Sequence, residues 1–168
     1  PRDLRLDLDA LQSQGVDVIF VPEPSEIYPD GYGTWVEVGD IADKLEGHSR
    51  KGHFRGVGTV VTKLFCIVRP DVGYFGQKDG QQTVVIKQII RDLNLGARII
   101  VCPTVRDSNG LALSSRNAYL SEIEKLDASI IYNSLTEAKH IWNQGEVQAK
   151  TIKSLIEHNF HNNRSITG

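Results

Sequence analysis

The stretch from Val72 to Pro103 constrains the fold of this chain more than any other. Val72-Gly73-Tyr74-Phe75 is a short apolar run, and from Gly80 to Asn94 the residues Ile86, Ile89, Ile90 and Leu93 recur on one face with Lys87 and Arg91 off it. Ala97 to Cys102 is again mostly apolar and is stopped by Pro103. A strand, a helix and a strand with short connections cannot form a hairpin, so the two strands pair in parallel through a right-handed crossover. The upstream residues extend the pattern. Leu4, Leu8 and Leu11 form the stripe of an amphipathic helix ended by Gly15, and Val16 to Val21 is a β-branched apolar run before Pro22 that reads as a buried strand. Dense turn chemistry from Tyr28 to Gly33 leads into Thr34 to Val38, a strand with partial alternation, and a loop or short helix follows through Lys44, Leu45 and Glu46. Val57, Val60, Val61, Leu64, Phe65 and Val68 then recur at helical spacing before Pro70. The expected class is α/β, a layered domain around a parallel sheet.

Beyond Asn117 the pattern changes. Ser121, with Glu124 three residues on, has capping-box spacing at the head of one helix carrying Ile123, Leu126, Ile130, Ile131, Leu135, Ala138 and Ile141. Gly145 breaks it, and Ile152, Leu155 and Ile156 mark a second helix. No strand signal follows Cys102, so a domain boundary is placed near Thr104, dividing the chain into 1–104 and 105–168. With 168 residues, 40 % hydrophobic and 24 % charged, the chain is of the ordinary globular class. A net charge of -2 gives no basic field for nucleic acid. The absence of an apolar run of about 20 residues argues against a membrane span. Cys66 and Cys102 sit in apolar runs and read as buried free thiols, which suits a reducing cytoplasm. The sequence contains no methionine and opens on Pro1, so the chain is expected to be an excerpt of a longer protein.

Two polar segments could carry chemistry. Gly76 to Gln82 lies at the carboxyl end of a strand, where parallel sheets bind ligands and the next helix points free N–H groups outward. Here Gly76 lets a ligand approach the backbone, Lys78 offers a point charge for phosphate, Asp79 caps the helix or orients Lys78, and Gln82 offers a donor and an acceptor. The alternative is a plain turn with a solvated lysine. In the second segment, Asp107 to Asn117, Ser114-Ser115-Arg116 sets two hydroxyls beside a guanidinium, a set suited to phosphate oxygens. The alternative there is a helix N-cap with a solvated arginine. An interdomain position would suit a loop that closes over substrate. His53, beside Arg50 and Lys51, is assigned to an interface or loop-packing role rather than to phosphate. His48, His140, His158 and His161 lack metal-ligand spacing, and Trp35 and Trp142 are assigned to packing.

His53-Phe54-Arg55-Gly56-Val57, Lys63-Leu64-Phe65, Phe75-Gly76-Gln77-Lys78-Asp79, Gln81-Gln82, Pro103-Thr104-Val105-Arg106 and Gly110 to Asn117, in this order, resemble the pantothenate synthetase family. The resemblance is close from Pro1 to about Leu120 and weaker through the last helices. It implies the second half of a Rossmann-like nucleotidyltransferase domain followed by the helical start of a smaller C-terminal domain. It implies ATP-dependent condensation of pantoate with β-alanine through a pantoyl-adenylate, with release of AMP and pyrophosphate, in a cytoplasmic homodimer. By resemblance, Gly76, Gln77, Lys78 and Asp79 contact ATP, Val105 lies against the adenine, and Leu113, Ser114, Ser115 and Arg116 form a mobile loop on the phosphates. Gln82 matches a pantoate-binding glutamine, and Asp7 falls near acidic residues associated with Mg²⁺. The chain departs from the family pattern at two positions, with Leu113 where methionine is usual and Lys51 where proline is usual. The family's His-x-Gly-His half is expected to precede Pro1 and its C-terminal sheet to lie beyond this chain, so the chain alone is expected to be inactive. The alternatives are a non-catalytic module that binds nucleotide or oligomerises, and an adenylyl transferase for another acid.

Overall fold

The computed structural model describes residues 3–161 and residue 163. In chain order the elements are α1 (Leu4–Ser13), α2 (Pro24–Ile27), α3 (Glu46–Ser49), α4 (His53–Val68), β1 (Val72–Gly76), α5 (Gly80–Asp92), β2 (Arg98–Cys102), α6 (Glu122–Ala128), α7 (Ile130–Asn143) and α8 (Ala149–His161), with 3₁₀ turns at Asp40–Ala42, Gln77–Asp79 and Ser115–Tyr119. The chain divides into two compact units, Asp3–Pro103 and the residues from Thr104 onward.

In the first unit β1 and β2 pair in parallel, in register from Val72 opposite Arg98 to Gly76 opposite Cys102, with α5 as the crossover. The α/β class holds. The core forms where α4 and α5 meet: Phe54, Val85 and Ile89 are buried together, with Val36, Val38, Ile41, Ala42, Val57 and Leu95 packed around them. Two glycines make this packing possible. A Cβ on Gly58 would stand 3.1 Å from Ile89 Cδ1 and 3.2 Å from the Val36 carbonyl oxygen, and one on Gly73 would stand 2.7 Å from Phe65 Cζ. Phe65 itself stacks on Phe75, with ring centroids 6.3 Å apart.

Two expected strands are absent. Val16 to Val21 forms no strand ladder among the described residues: its only regular feature is a bend at Asp17, the Val16 N–H turns back to the Leu11 carbonyl at 3.3 Å, and Val18 is 82 % exposed. A strand requires a partner, and the described sheet contains only β1 and β2. Thr34 to Val38 is likewise unpaired. It is pinned to α4 instead, where the Val36 N–H donates to Thr59 Oγ1 at 3.0 Å. The α1 helix forms, with Asp3 Oδ1 accepting the Leu6 N–H at 3.1 Å, but Leu4 and Leu11 face solvent rather than a core. Cys66 is exposed and Cys102 half-buried, correcting the expectation of two buried thiols. The apolar run of α4 is wider than the face its neighbours cover, and Cys66, Ile67 and Val68 fall outside it.

In the second unit the single helix expected from Ser121 to Ile141 is two. The Ser129 hydroxyl donates to the Leu126 carbonyl at 2.6 Å, the local competition by which serine interrupts helices, and α6 stops there. α7 buries Ser134 and Ala138, one turn apart, and packs on α8. Strand-like pairing does occur after Cys102, as a short antiparallel bridge between Arg106 and Ala112. Trp142 is 64 % exposed, so a packing role does not hold for it, whereas the Trp35 ring meets Tyr32 edge-on and lies under the Arg55 guanidinium. No described helix is long and apolar enough to cross a membrane.

Candidate functional site

β1 ends at Gly76, and the chain turns through Gln77–Asp79 into α5. Gly76 is extended, φ -75° and ψ 133°, a conformation open to any residue, and a Cβ there would meet nothing within 4 Å. The glycine is therefore not demanded by the backbone, and the space in front of it is open. Lys78 Nζ lies 3.4 Å from Asp79 Oδ1, with both side chains on the surface. Asp79 occupies the N-cap of α5, where its side chain makes no capping bond among the described residues, and its carboxylate pairs with Lys78 instead. An exposed pair of this kind is worth about 0–1 kcal/mol. A ligand carrying several negative charges can displace it.

The two glutamines of the first turn of α5 differ. Gln81 Nε2 donates to the carbonyls of Ile41 at 2.8 Å and Lys44 at 2.6 Å, and its Oε1 accepts the Glu46 N–H at 3.0 Å. It ties the loop before α3 to α5. The half-buried Gln82 side chain has no such partner among the described residues. His53, at the head of α4, faces its own loop: its Nε2 is 3.2 Å from an Arg50 nitrogen, and its ring is tilted on Phe54. Arginine can only donate, so Nε2 is the accepting atom of this contact. The loop-packing reading of His53 fits this geometry.

In the second unit the candidate loop springs from a hairpin. Arg106 bridges Ala112, and the Leu113 N–H donates to the Val105 carbonyl at 2.9 Å, so the structure brings Val105 and Leu113 together, both with exposed apolar side chains. Asp107 Oδ1 accepts the N–H groups of Asn109 at 2.9 Å and Leu111 at 3.0 Å, closing the tip. Ser114 Oγ accepts the Arg116 N–H at 3.2 Å at the start of the Ser115–Tyr119 turn, which leaves its own O–H free to donate. Ser115 and the Arg116 side chain are exposed, and neither side chain has a hydrogen-bond or ionic partner among the described residues. Asp107, Leu111, Leu113, Ser114, Ser115, Asn117 and Lys125 line an open cavity of about 550 Å³.

The family model for pantoate-beta-alanine ligase matches residues 1–167. The chain belongs to the pantoate–β-alanine ligase family. It is 54 % identical over 156 residues to a pantothenate synthetase of Acetivibrio thermocellus, covering 93 % of this chain and 56 % of that one. It is 51 % identical over 146 residues to that of Thermodesulfovibrio yellowstonii, covering 87 % and 52 %. A crystal structure of pantothenate synthetase from Thermus thermophilus superposes with a TM-score of 0.93 at 41 % identity, over 96 % of this chain and 59 % of that one. A pantoate-beta-alanine ligase from Francisella tularensis, solved in complex with beta-gamma ATP and beta-alanine, superposes with a TM-score of 0.72 at 38 % identity, over 95 % and 59 %. This member of the ligase family thus spans little more than half the length of the relatives it matches.

The ligase motifs do not include every residue at these two places. Lys125, on α6, lines the same cavity as Ser114 and Ser115 and holds Glu122 at 2.7 Å. Tyr132, on α7, lies under Arg106. Both come from helices that follow the motif-rich region, and only three-dimensional placement finds them. Asp7 is an exposed carboxylate in the first turn of α1, and among the described residues no three His, Cys, Asp or Glu side chains gather as a metal site. Mg²⁺ needs one or two carboxylates plus substrate phosphates rather than an all-protein cage. Asp7 alone does not fit a resident Mg²⁺ site.

Proposed function

We propose that the protein carrying this chain condenses pantoate with β-alanine at the expense of ATP, through a pantoyl-adenylate, releasing pyrophosphate and AMP. The reading rests on membership of the pantoate–β-alanine ligase family. The observation on the chain that supports it best is the corner after β1, where among the described residues Lys78 is held only by Asp79 and Gln82 has no side-chain partner beside a fully engaged Gln81, and where the space before Gly76 is open. In this reading the residues to about 104 belong to a Rossmann-like nucleotidyltransferase domain and the remainder to the start of a C-terminal domain. The protein is a cytoplasmic homodimer of coenzyme A biosynthesis, and Mg²⁺ arrives with the ATP phosphates.

The first step needs positioning more than proton transfer. A pantoate carboxylate is already ionised when it attacks the α-phosphorus, so catalysis consists of holding it in line and stabilising charge as pyrophosphate departs. Gln82 binds pantoate through its amide. Lys78, oriented by Asp79, meets the phosphate oxygens, with Gly76 and Gln77 contributing backbone at the same corner. Ser114 and Ser115 donate hydroxyls and Arg116 its planar fork to phosphate oxygens, while Val105 and Leu113 offer the adenine an apolar surface. In the second step the neutral amine of β-alanine attacks the mixed anhydride and AMP leaves.

The test is Lys78→Ala in the full-length protein. Losing one preorganised donor to developing charge costs about 3 kcal/mol, or roughly 10²- to 10³-fold in kcat/KM. Pantothenate formation unaffected by this change refutes the assigned role.

A further inference from the structure

We propose that Tyr132 is a positioning residue for the Leu113–Arg116 loop, its ring being the surface on which the Val105–Leu113 hairpin is set. This rests on the nucleotide role given to that loop above. Two residues of the hairpin meet the ring. Gly110 has φ +90°, and a Cβ there would stand 2.5 Å from Tyr132 Cδ1, so the backbone lies against the ring at a point no side chain can occupy. The Arg106 guanidinium carbon lies 4.0 Å from the ring centroid, a cation–π stack, and its NH1 donates to the Gly110 carbonyl at 3.1 Å. The ring, the arginine and the glycine form one closed contact.

The hairpin is stiff enough to transmit that contact. The Asp107 N–H donates to the Leu111 carbonyl at 2.9 Å, the Gly110 N–H to the Asp107 carbonyl at 3.1 Å and the Leu113 N–H to the Val105 carbonyl at 2.9 Å. Asn117 Nδ2 donates to the Ala112 carbonyl at 3.0 Å, tying the far side of the loop to the same strand. From Gly110 to Ser114 the extended chain reaches about 13 Å, so a tilt of roughly 5° at the ring carries Ser114 through about 1 Å. A misplacement of that size at a reacting centre costs up to about 10²-fold. The contact also sorts the two guanidiniums near the loop. Arg106 is engaged with the ring and the Gly110 carbonyl, which leaves Arg116 as the one that meets phosphate.

The experiment compares Tyr132→Phe, Tyr132→Leu, Arg106→Leu and Arg116→Ala in the full protein, by amide exchange of Gly110, Leu111 and Leu113 against Ala138 of α7, and by calorimetric affinity for MgATP. Tyr132→Phe keeps the aromatic face and is expected to match the parent within about twofold in both. Tyr132→Leu is expected to speed hairpin exchange about tenfold, leave Ala138 unchanged and weaken MgATP about tenfold. Arg106→Leu, which leaves α7 untouched, is expected to do the same, so a general loss of helix in Tyr132→Leu cannot mimic the result. Hairpin exchange unchanged in both leucine variants overturns the proposal. So does a loosened hairpin with MgATP affinity intact when Arg116→Ala weakens that affinity. If Arg116→Ala leaves affinity intact, the nucleotide role of the loop is what fails, and a positioning role for Tyr132 falls with it.

Discussion

Gln81 and Gln82 are neighbours of the same type in the first turn of α5, yet one is committed to the fold and the other has no side-chain partner among the described residues. Replacing Gln81 by alanine leaves the carbonyls of Ile41 and Lys44 and the N–H of Glu46 without their partner. All three can recover part of their bonding from water, so the expected loss is about 1–3 kcal/mol, read as a lower denaturation midpoint at unchanged slope. Gln82→Ala is expected to leave the midpoint within about 0.5 kcal/mol, while raising the KM of the full-length protein for pantoate more than that for ATP. Equal stability losses for the two variants would remove the distinction. The motif made both amides visible in the sequence, but not their division of labour, because the partners of Gln81 lie 35 to 40 positions upstream.

Among the elements, the segment from Val72 to Cys102 is legible because everything it needs is local. It has an apolar run, a corner, an amphipathic helix and a second run, and each strand finds the other. Val16 to Val21 has the same composition and no ladder, since pairing is a property of two segments rather than one. The division at Ser129 is hidden for the opposite reason, a single hydroxyl bond inside a continuous helical pattern. The start of α6 is fully legible: Ser121 Oγ accepts the Glu124 N–H at 3.3 Å, and the Glu124 carboxylate accepts the Ser121 N–H and its hydroxyl at 2.8 Å. The Ser121 backbone N–H first, and its hydroxyl second, hold the Glu124 carboxyl below its usual range. A depressed carboxylate stabilises the folded state above its unfolded pKa, and that contribution is lost as pH falls through the folded value. Stability of the parent is therefore expected to fall more steeply below the usual glutamate range than that of Glu124→Gln, with the two profiles running parallel above it. Parallel profiles throughout would show that the box does not couple to folding.

At the scale of the molecule, charge is close to balanced, with 19 cationic and 21 acidic side chains, so attraction for an anionic substrate has to be local. In the proposed function Lys78 and Arg116 supply it, each exposed and each following a paired stretch, β1 against β2 for Lys78 and the Arg106–Ala112 bridge for Arg116. The three bonds of Gln81 have a consequence of another kind, in the order of folding. They join residues 35 to 40 positions apart, so they form only once α5 exists and the intervening chain has closed on it. Contacts absent from the transition state chiefly govern how long the native state lasts, and the Gln81 clasp is predicted to be one of them. Gln81→Ala is therefore expected to quicken unfolding while refolding keeps its rate, and a chevron in which the refolding arm shifts instead would place the clasp in the nucleus. With the expected chevron, faster unfolding at an unchanged refolding rate, the side chain is a late latch that sets the lifetime of the fold more than the speed at which it is reached.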